Sequence, residues 1–324
     1  MNIKGILVSV VAPFENHIAN GGEKLLGNAS SIKRRPDGKV YVSGQMQRHV
    51  LFSAINRLNE SDENKGETFV SNGDGISNFI ERDLRSDMGG FMHPSKGDYS
   101  GRRTAPLSVT PAVAIDKSDV GRDLLIRLKV NVKGERSYSD GYLLRNDDDA
   151  TEVKDQKQAL ATKEFSEFDL MHMNFFLDVG ALSISKAFEY DGGFNIGTRY
   201  FKHANDTERK RRTKLFLEGT RYMNDYASQA RNAVSGEPQK ILIVFDPSLS
   251  RKASRYFVAE KQEQENILAE IDAKKAKYFI GDDKTDKSVQ MAYDAALKYL
   301  NDNTLTDPSN GGDIVTFQEA FGRE

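Results

Sequence analysis

Residues 33–59, KRRPDGKVYVSGQMQRHVLFSAINRLN, carry a basic loop into a short strand and then turn sharply into an amphipathic helix. Ser43 and Gly44 stand where a strand-to-helix turn needs an N-cap hydroxyl and an unhindered backbone. Val50, Leu51, Ala54, Ile55 and Leu58 then recur at the spacing of one buried helical stripe. Lys33, Arg34, Arg35 and Lys39 precede the turn, while Gln45, Arg48 and His49 open the helix. Cations and the open N–H groups of a first helical turn thus meet at one end of the element, the arrangement of a polyanion-binding edge. A solvated basic loop on an ordinary α/β protein is the competing reading of the same residues.

Working outward, periodicity predicts a strand over residues 4–14, the helix over 45–59, and a strand pair at 105–115 and 174–184. A long helix should start near Thr207 and run through Leu215, Leu217, Tyr222, Tyr226 and Ala230 to Val234, stopped by Gly236 and Pro238. The unbroken apolar run from Ile241 to Phe245 reads as a buried central strand. The order β-α-β-β-α-β is that of an α+β, ferredoxin-like or RRM-like palm, with two helices on one sheet face and the other face open. Residues 1–59 would form its first half and 104–250 its second.

The connections are too long for a plain palm. Residues 60–103, rich in Gly, Asn, Ser and Asp and ending in the basic Gly101-Arg102-Arg103, read as a finger-like insertion. A polar insertion is expected over about 119–165, and its 133–165 part, acidic at Asp147, Asp148 and Asp149, is expected to be partly disordered until a partner orders it. Residues 182–201 read as a projecting hairpin, with Asp191-Gly192 supplying a tight turn and Arg199 and Lys202 on its return strand. Residues 251–324 should be a helical extension, with helices at about 260–278 and 288–300.

Composition narrows the chemistry. At 324 residues, 38% hydrophobic, the chain can bury a sizeable core, and no stretch is apolar for long enough to span a bilayer. The absence of cysteine excludes disulfides, thiolate catalysis and cysteine-ligated zinc, and fits a cytoplasmic protein. A net charge of -2 conceals segregation: residues 33–57 hold six Lys/Arg against one acid, and residues 199–214 seven against two. The local field rather than the sum sets a nucleic-acid contact.

Catalytic motifs fail in turn. Gly192, Gly193 and Gly197 lack a P-loop Lys-Ser/Thr, and the five histidines offer no i, i+4 pair for a metal. His172, between Met171 and Met173, reads as a structural histidine. No G-x-S-x-G elbow is present. Nor do the candidate strands carry the aromatic signature with which a standard RRM stacks bases, so backbone tracking by cations is the expected mode of RNA contact. No cofactor or metal is expected, and no enzymatic activity.

The succession of an N-terminal strand, GNASSIKRRPDG, YVSGQMQRHVLF, GRRTAPLSVTPAVAI and NFFLDVGALSI resembles the DevR-type backbone subunit of type I CRISPR Cascade complexes over roughly residues 2–246. Its most specific part is Ser43, Gly44, Gln45 and Arg48 ahead of the apolar helix. The resemblance implies a subunit that polymerises head to tail along a guide RNA (crRNA) and presents it to a target DNA strand beside other Cascade subunits, with the projecting hairpin as a thumb. Lys33, Arg34, Arg35, Ser43, Gln45, Arg48, His49, Arg102, Arg103, Arg199 and Lys202 would then contact RNA. The related type III subunit carries a cleaving aspartate before the turn-helix, whereas the matching residues here are Gly27, Asn28, Ala29, Ser30 and Ser31. Two alternatives remain open at this point: a type III-like target-RNA endonuclease, and a structural protein binding partners through its C-terminal helices.

Overall fold

The computed structural model describes residues 2–25, 29–72, 77–92, 102–128, 137–139, 142–144 and 158–321. The expected acidic cluster at residues 147–149, and Gly27 and Asn28, lie outside them.

The molecule is a mixed α/β structure organised by β1 (Gly5–His17), which is buried along most of its length because both of its neighbours are long strands. α1 (Gly44–Glu60) follows, then α2 (Leu84–Gly89), β2 (Leu107–Val109), β3 (Ala112–Ala114), β4 (Val120–Leu128) and the long β5 (Gln158–Asp178). β6 (Ile184–Asp191) and β7 (Phe194–Lys202) form a separate hairpin before α3 (Asp206–Gly219) and β8 (Lys240–Asp246). A 3₁₀ helix (Lys252–Val258), α4 (Lys261–Ala273), β9 (Lys277–Asp282) and α5 (Val289–Asp302) complete the frame. β1 pairs antiparallel with β8 on one side, Asp246 opposite Gly5, and with β5 on the other, Asp178 opposite Gly5. β2, β3 and β4 share the far edge of β5, and β9 lies outside β8.

Alternation along β1 explains the two cores. Ile6, Val8, Val10, Ala12 and Phe14 point to the face carrying Val50, Leu51, Phe52 and Ile55 of α1 and Leu215 and Phe216 of α3. Leu7 points the other way, with Phe176, Leu242 and Val244, onto Ala253, Ile267 and Ile271. The expectation of a freely available second face is therefore corrected: the 3₁₀ helix and α4 cover part of it, because those strand positions are themselves apolar and must be kept from water.

Other expectations are also revised. The helix after the hairpin begins one residue early, capped by Asn205 Oδ1 accepting the Glu208 N–H at 2.8 Å, and stops at Gly219 rather than Val234. A Cβ on Gly219 would lie 2.9 Å from Ile55 Cγ1, so α3 and α1 cross closely there. Met223, Tyr226 and Val234 are buried individually by a non-helical segment. The predicted helix 260–278 ends at Ala273, and its last residues turn at Lys275 (φ 55°) into β9, a strand not expected from the sequence. The expected 105–115 strand is split at Thr110-Pro111, where proline has no N–H for the ladder. Residues 158–165, assigned to a partly disordered insertion, are the first part of β5 and pair with β4. The hairpin turn falls on Gly192 (φ 54°) and Gly193 (φ 87°), one residue later than expected.

Between α1 and β2 the described residues make an excursion of α2 and a two-stranded ribbon that is separate from the main sheet. Phe91–Met92 pairs with Arg102–Arg103, and Gly90 turns between α2 and this ribbon at φ 63°, ψ 172°, a conformation almost confined to glycine. A Cβ there would sit 2.5 Å from the Arg103 carbonyl oxygen. Gly90→Ala is expected to cost about 1–3 kcal/mol of stability, read from the urea midpoint at constant m-value. A midpoint within error of the parent would contradict this account of the turn.

Candidate nucleic-acid interface

The basic loop is a tight hairpin. Arg34 bridges Val40, the Arg35 N–H donates to the Lys39 carbonyl at 2.9 Å, and Gly38 turns the chain at φ 83°. Its neck is held by Asn20, whose Nδ2 donates to the carbonyls of Lys33 (3.1 Å) and Tyr41 (3.2 Å). Beneath it, Ser118 Oγ accepts the Val40 N–H at 3.0 Å and donates to Asp169, while His17 Nε2 donates to the other Asp169 oxygen at 2.7 Å. These groups are buried, so the hairpin is braced on β1 and β5 by satisfied polar contacts.

Arg34 and Arg122 flank the buried Glu164, at 3.2 and 3.0 Å. Burial would raise the Glu164 pKa, but hydrogen bonds from Arg122, Arg34 and the Ile32 N–H outweigh it and hold the carboxyl below its ordinary value. Lys33 is half-buried, and Arg35 is exposed without an ion pair among the described residues. Lys39 donates its ammonium to the Ile115 carbonyl at 2.6 Å. The hairpin thus presents Arg34 and Arg35, with Arg122 of β4 beside Arg34 across Glu164.

At the helix start, the roles divide. Ser43 Oγ accepts the Met46 N–H at 3.2 Å, so it caps α1 and is committed to the helix. Gln45 is exposed, and so is His49, 3.6 Å from Asp225. Arg48 departs from the expected site: its Nη2 donates to the Gly89 carbonyl at 2.5 Å and its guanidinium lies over the Phe52 ring, where burial and the nearby Arg85 lower its pKa. It ties α1 to the C-terminal end of α2.

A second cationic region lies at the other end of β5. Glu164 and Asp178 are separated by a run of extended chain worth up to about 45 Å at roughly 3.3 Å per residue. There, a groove of about 1150 Å³ opens between the ribbon of Phe91–Met92 and Arg102–Arg103 and the β6–β7 hairpin, lined by Lys4, Arg102, Lys186, Phe188, Tyr200 and Phe321 among others. Arg102 and Arg199 are exposed, Arg199 over Phe201 at 5.2 Å and Lys186 over Phe188 at 5.4 Å. The hairpin also exposes Tyr190, Phe194 and Ile196, with Phe194 78% accessible.

Two expected site residues are corrected outright. The Arg103 side chain is buried, donating to Asp87 (2.8 Å), the carbonyls of Ala181 and Ile184, and Ser185 Oγ. Lys202 is buried against Asp206 (2.9 Å) and Asp307 (2.7 Å). Both charges are paired with the protein's own carboxylates rather than offered to solvent. In the run at residues 209–214, Arg209 and Arg212 are equally internal: Arg209 donates to the Leu182, Val179 and Thr306 carbonyls, and Arg212 pairs with Asp87 at 2.6 Å and Glu208 at 2.7 Å. Arg211 pairs with Asp62 and Glu208, leaving Lys214 exposed. Arg122, Lys186 and the hairpin aromatics were missed because each stands alone in sequence; alternating apolar residues on a Gly-Gly hairpin were the available signal. No group of three His, Cys, Asp or Glu suited to a metal occurs among the described residues. Nor is any of their helices long and apolar enough to cross a membrane.

Residues 9–235 match a family described as CRISPR-associated negative auto-regulator DevR/Csa2. No curated protein matches the chain. Among solved structures, a chain titled as a CRISPR RNA-guided surveillance complex superposes with TM-score 0.52 at 12% identity, over 91% of this chain and 99% of that one. A chain from such a complex titled pre-nicking gives TM-score 0.51 at 12% identity, over 91% and 100%. At this identity the likeness is one of fold.

Proposed function

The chain belongs to the CRISPR-associated DevR/Csa2 family, and from that premise we propose that it is a non-catalytic backbone subunit of a guide-RNA surveillance complex, binding the phosphate backbone of crRNA. The observation that carries this reading is the exposed Arg34–Arg35 hairpin, braced on the central sheet by Asn20, Glu164 and the buried His17–Asp169–Ser118 contacts. Rigid cations at fixed spacing hold a phosphate backbone without reading bases, which leaves the guide free to pair with a target strand.

The topology supports the same role. The sheet order β8-β1-β5-β2, with α1 and α3 packed on one face, supports reading this part as a ferredoxin-like, RRM-like palm. The residues 60–103 excursion serves as finger and the β6–β7 hairpin as thumb. An apolar hairpin tip and a groove at different places on one chain favour head-to-tail association of copies, a heterologous contact that extends along RNA. Absence of catalysis is supported by the turn role of Asp37, whose Oδ1 accepts the Lys39 N–H at 3.1 Å. The described part of the loop before it, Ala29–Ser31, carries no carboxylate. Partners are then crRNA, target DNA through the guide, copies of this chain and other subunits of the complex.

The test is the salt dependence of guide binding by the complex co-expressed with its array. Arg34→Ala with Arg35→Ala removes two phosphate contacts, so the slope of log K against log salt should fall in magnitude by about 1.4, and affinity near 0.15 M should drop about tenfold whatever the guide sequence. An unaltered slope would remove these arginines from the interface.

A further inference from the structure

The β6–β7 hairpin pairs with no strand of the main sheet, and a lone two-stranded hairpin is marginally stable in water. Its root must be held by something else, and its two strands are held by different parts of the chain. The first strand is fixed by Arg103, which donates to the Ile184 carbonyl and Ser185 Oγ, and by Asp87, which accepts from Ser183. The return strand meets residues 313–321. Ile314 bridges Lys202 in parallel, and the Val315 N–H donates to the Lys202 carbonyl at 2.9 Å.

The next residue of the hairpin root reaches the same segment. His203 Nδ1 donates to the Val315 carbonyl at 2.7 Å, while its Nε2 faces Ser185 Oγ at 2.9 Å. One imidazole therefore joins both strands of the root to residue 315. Phe317, 7% exposed, then packs on Phe91 and Ile80 at the base of the excursion, and Phe321 packs on Phe201 of the return strand at 5.2 Å. The segment is locally pre-shaped as well. Thr316 and Glu319 form a reciprocal capping box for the short helix Phe317–Phe321, the Thr316 N–H to Glu319 at 2.6 Å and the Glu319 N–H to Thr316 Oγ1 at 3.1 Å.

We propose that residues 313–321 are a strap that adds a single parallel bridge to the hairpin root and sets the angle between hairpin and excursion, with Val315 and Phe317 as its positioning residues. The strap lines one end of the groove through Phe317 and Phe321, so it also fixes the groove's width. The consequence for guide RNA rests on the function proposed above; the mechanical role does not.

Hydrogen exchange on the full chain tests the mechanical role without RNA. Val315→Pro deletes the single N–H donated to Lys202, and amides within 184–203 are expected to exchange about fivefold faster, with β1 and β8 unchanged. Phe317→Ala should act in the same direction and more strongly, and Phe317→Leu should restore protection close to the parent. Unchanged exchange in the hairpin for both Val315→Pro and Phe317→Ala overturns the strap. In the co-expressed complex the same variants should alter the nuclease footprint on the guide, whereas Arg34→Ala with Arg35→Ala should lower affinity and leave hairpin exchange alone. Faster exchange with an unchanged footprint supports the strap and instead overturns the role of the β6–β7 hairpin as a thumb on the guide.

Discussion

Replacing Asp87 by alanine is expected to lower the unfolding free energy by about 3–5 kcal/mol, the cost of leaving buried guanidinium groups without their carboxylate. Asp87 is fully buried and accepts from Arg103 at 2.8 Å, Arg212 at 2.6 Å, and the Ser183 N–H and hydroxyl at 2.7 and 2.6 Å. Burial alone would raise its pKa; Arg212 and Arg103 more than offset that, and the carboxyl is held below its ordinary value. Its partners come from the ribbon after α2, from the root of the hairpin and from α3, so the carboxylate is where these three elements meet. Asp87→Asn keeps an acceptor but loses the charge, and should fall between parent and alanine. Urea unfolding measures the loss, and a double-mutant cycle with Arg212→Met isolates the pair, whose coupling should exceed about 1 kcal/mol. A loss below about 1 kcal/mol for Asp87→Ala would mean that water or relaxation replaces the carboxylate.

This hub shows why part of the site was legible in sequence and part was not. β1, β8 and α1 were readable because their signals are local: a continuous apolar run, or a stripe behind Ser43 and Gly44. The exposed cations Arg34, Arg35, Arg102 and Arg199 were also readable as surface groups, and Gln45 and His49 remain exposed beside them. Arg103, Lys202, Arg209 and Arg212 look the same in sequence, yet the last three are buried and the Arg103 side chain is only 5% accessible. What distinguishes them is a partner far along the chain: Asp87 stands 125 residues from Arg212, and Asp307 105 from Lys202. A charge run identifies cations but not the carboxylates that claim them. The extent of α3 failed for a related reason. Tyr222, Tyr226, Ala230 and Val234 repeat at helical spacing, but Tyr226 is recruited by Gln47 of α1 at 3.1 Å and Gly236 closes on its ring, so tertiary contacts override the period. β9 escaped notice because its residues follow a Lys- and Ala-rich helix end without a Gly or Pro stop, and only the open edge of β8 makes a strand of them.

Acidification should weaken the fold through His172, and the sign follows from its surroundings. The ring sits on the second face of the sheet, with Ser9 Oγ 3.1 Å from Nε2, Asn174 beside it and Phe257 of the 3₁₀ helix across from it. Burial lowers its pKa from 6.5 to about 4, against a smaller opposing pull from a backbone hydrogen bond with Ser254. Because the folded chain binds this proton less readily than the unfolded chain, the stabilisation is complete above pH 6.5 and is lost progressively as pH falls toward 4. At about 1.4 kcal/mol per pH unit the ceiling is about 3 kcal/mol, reduced by whatever water reaches the half-buried ring. His172→Gln keeps hydrogen-bonding atoms and removes the titration, so its urea stability should be flatter than the parent's between pH 6.5 and 4, while the carboxylate-driven loss at lower pH persists in both. The parent's excess loss should also appear first as faster exchange in residues 252–258, which cover the ring. Parallel stability profiles for parent and variant across that window would show that His172 titrates as an ordinary histidine and that the 3₁₀ helix does not seal it.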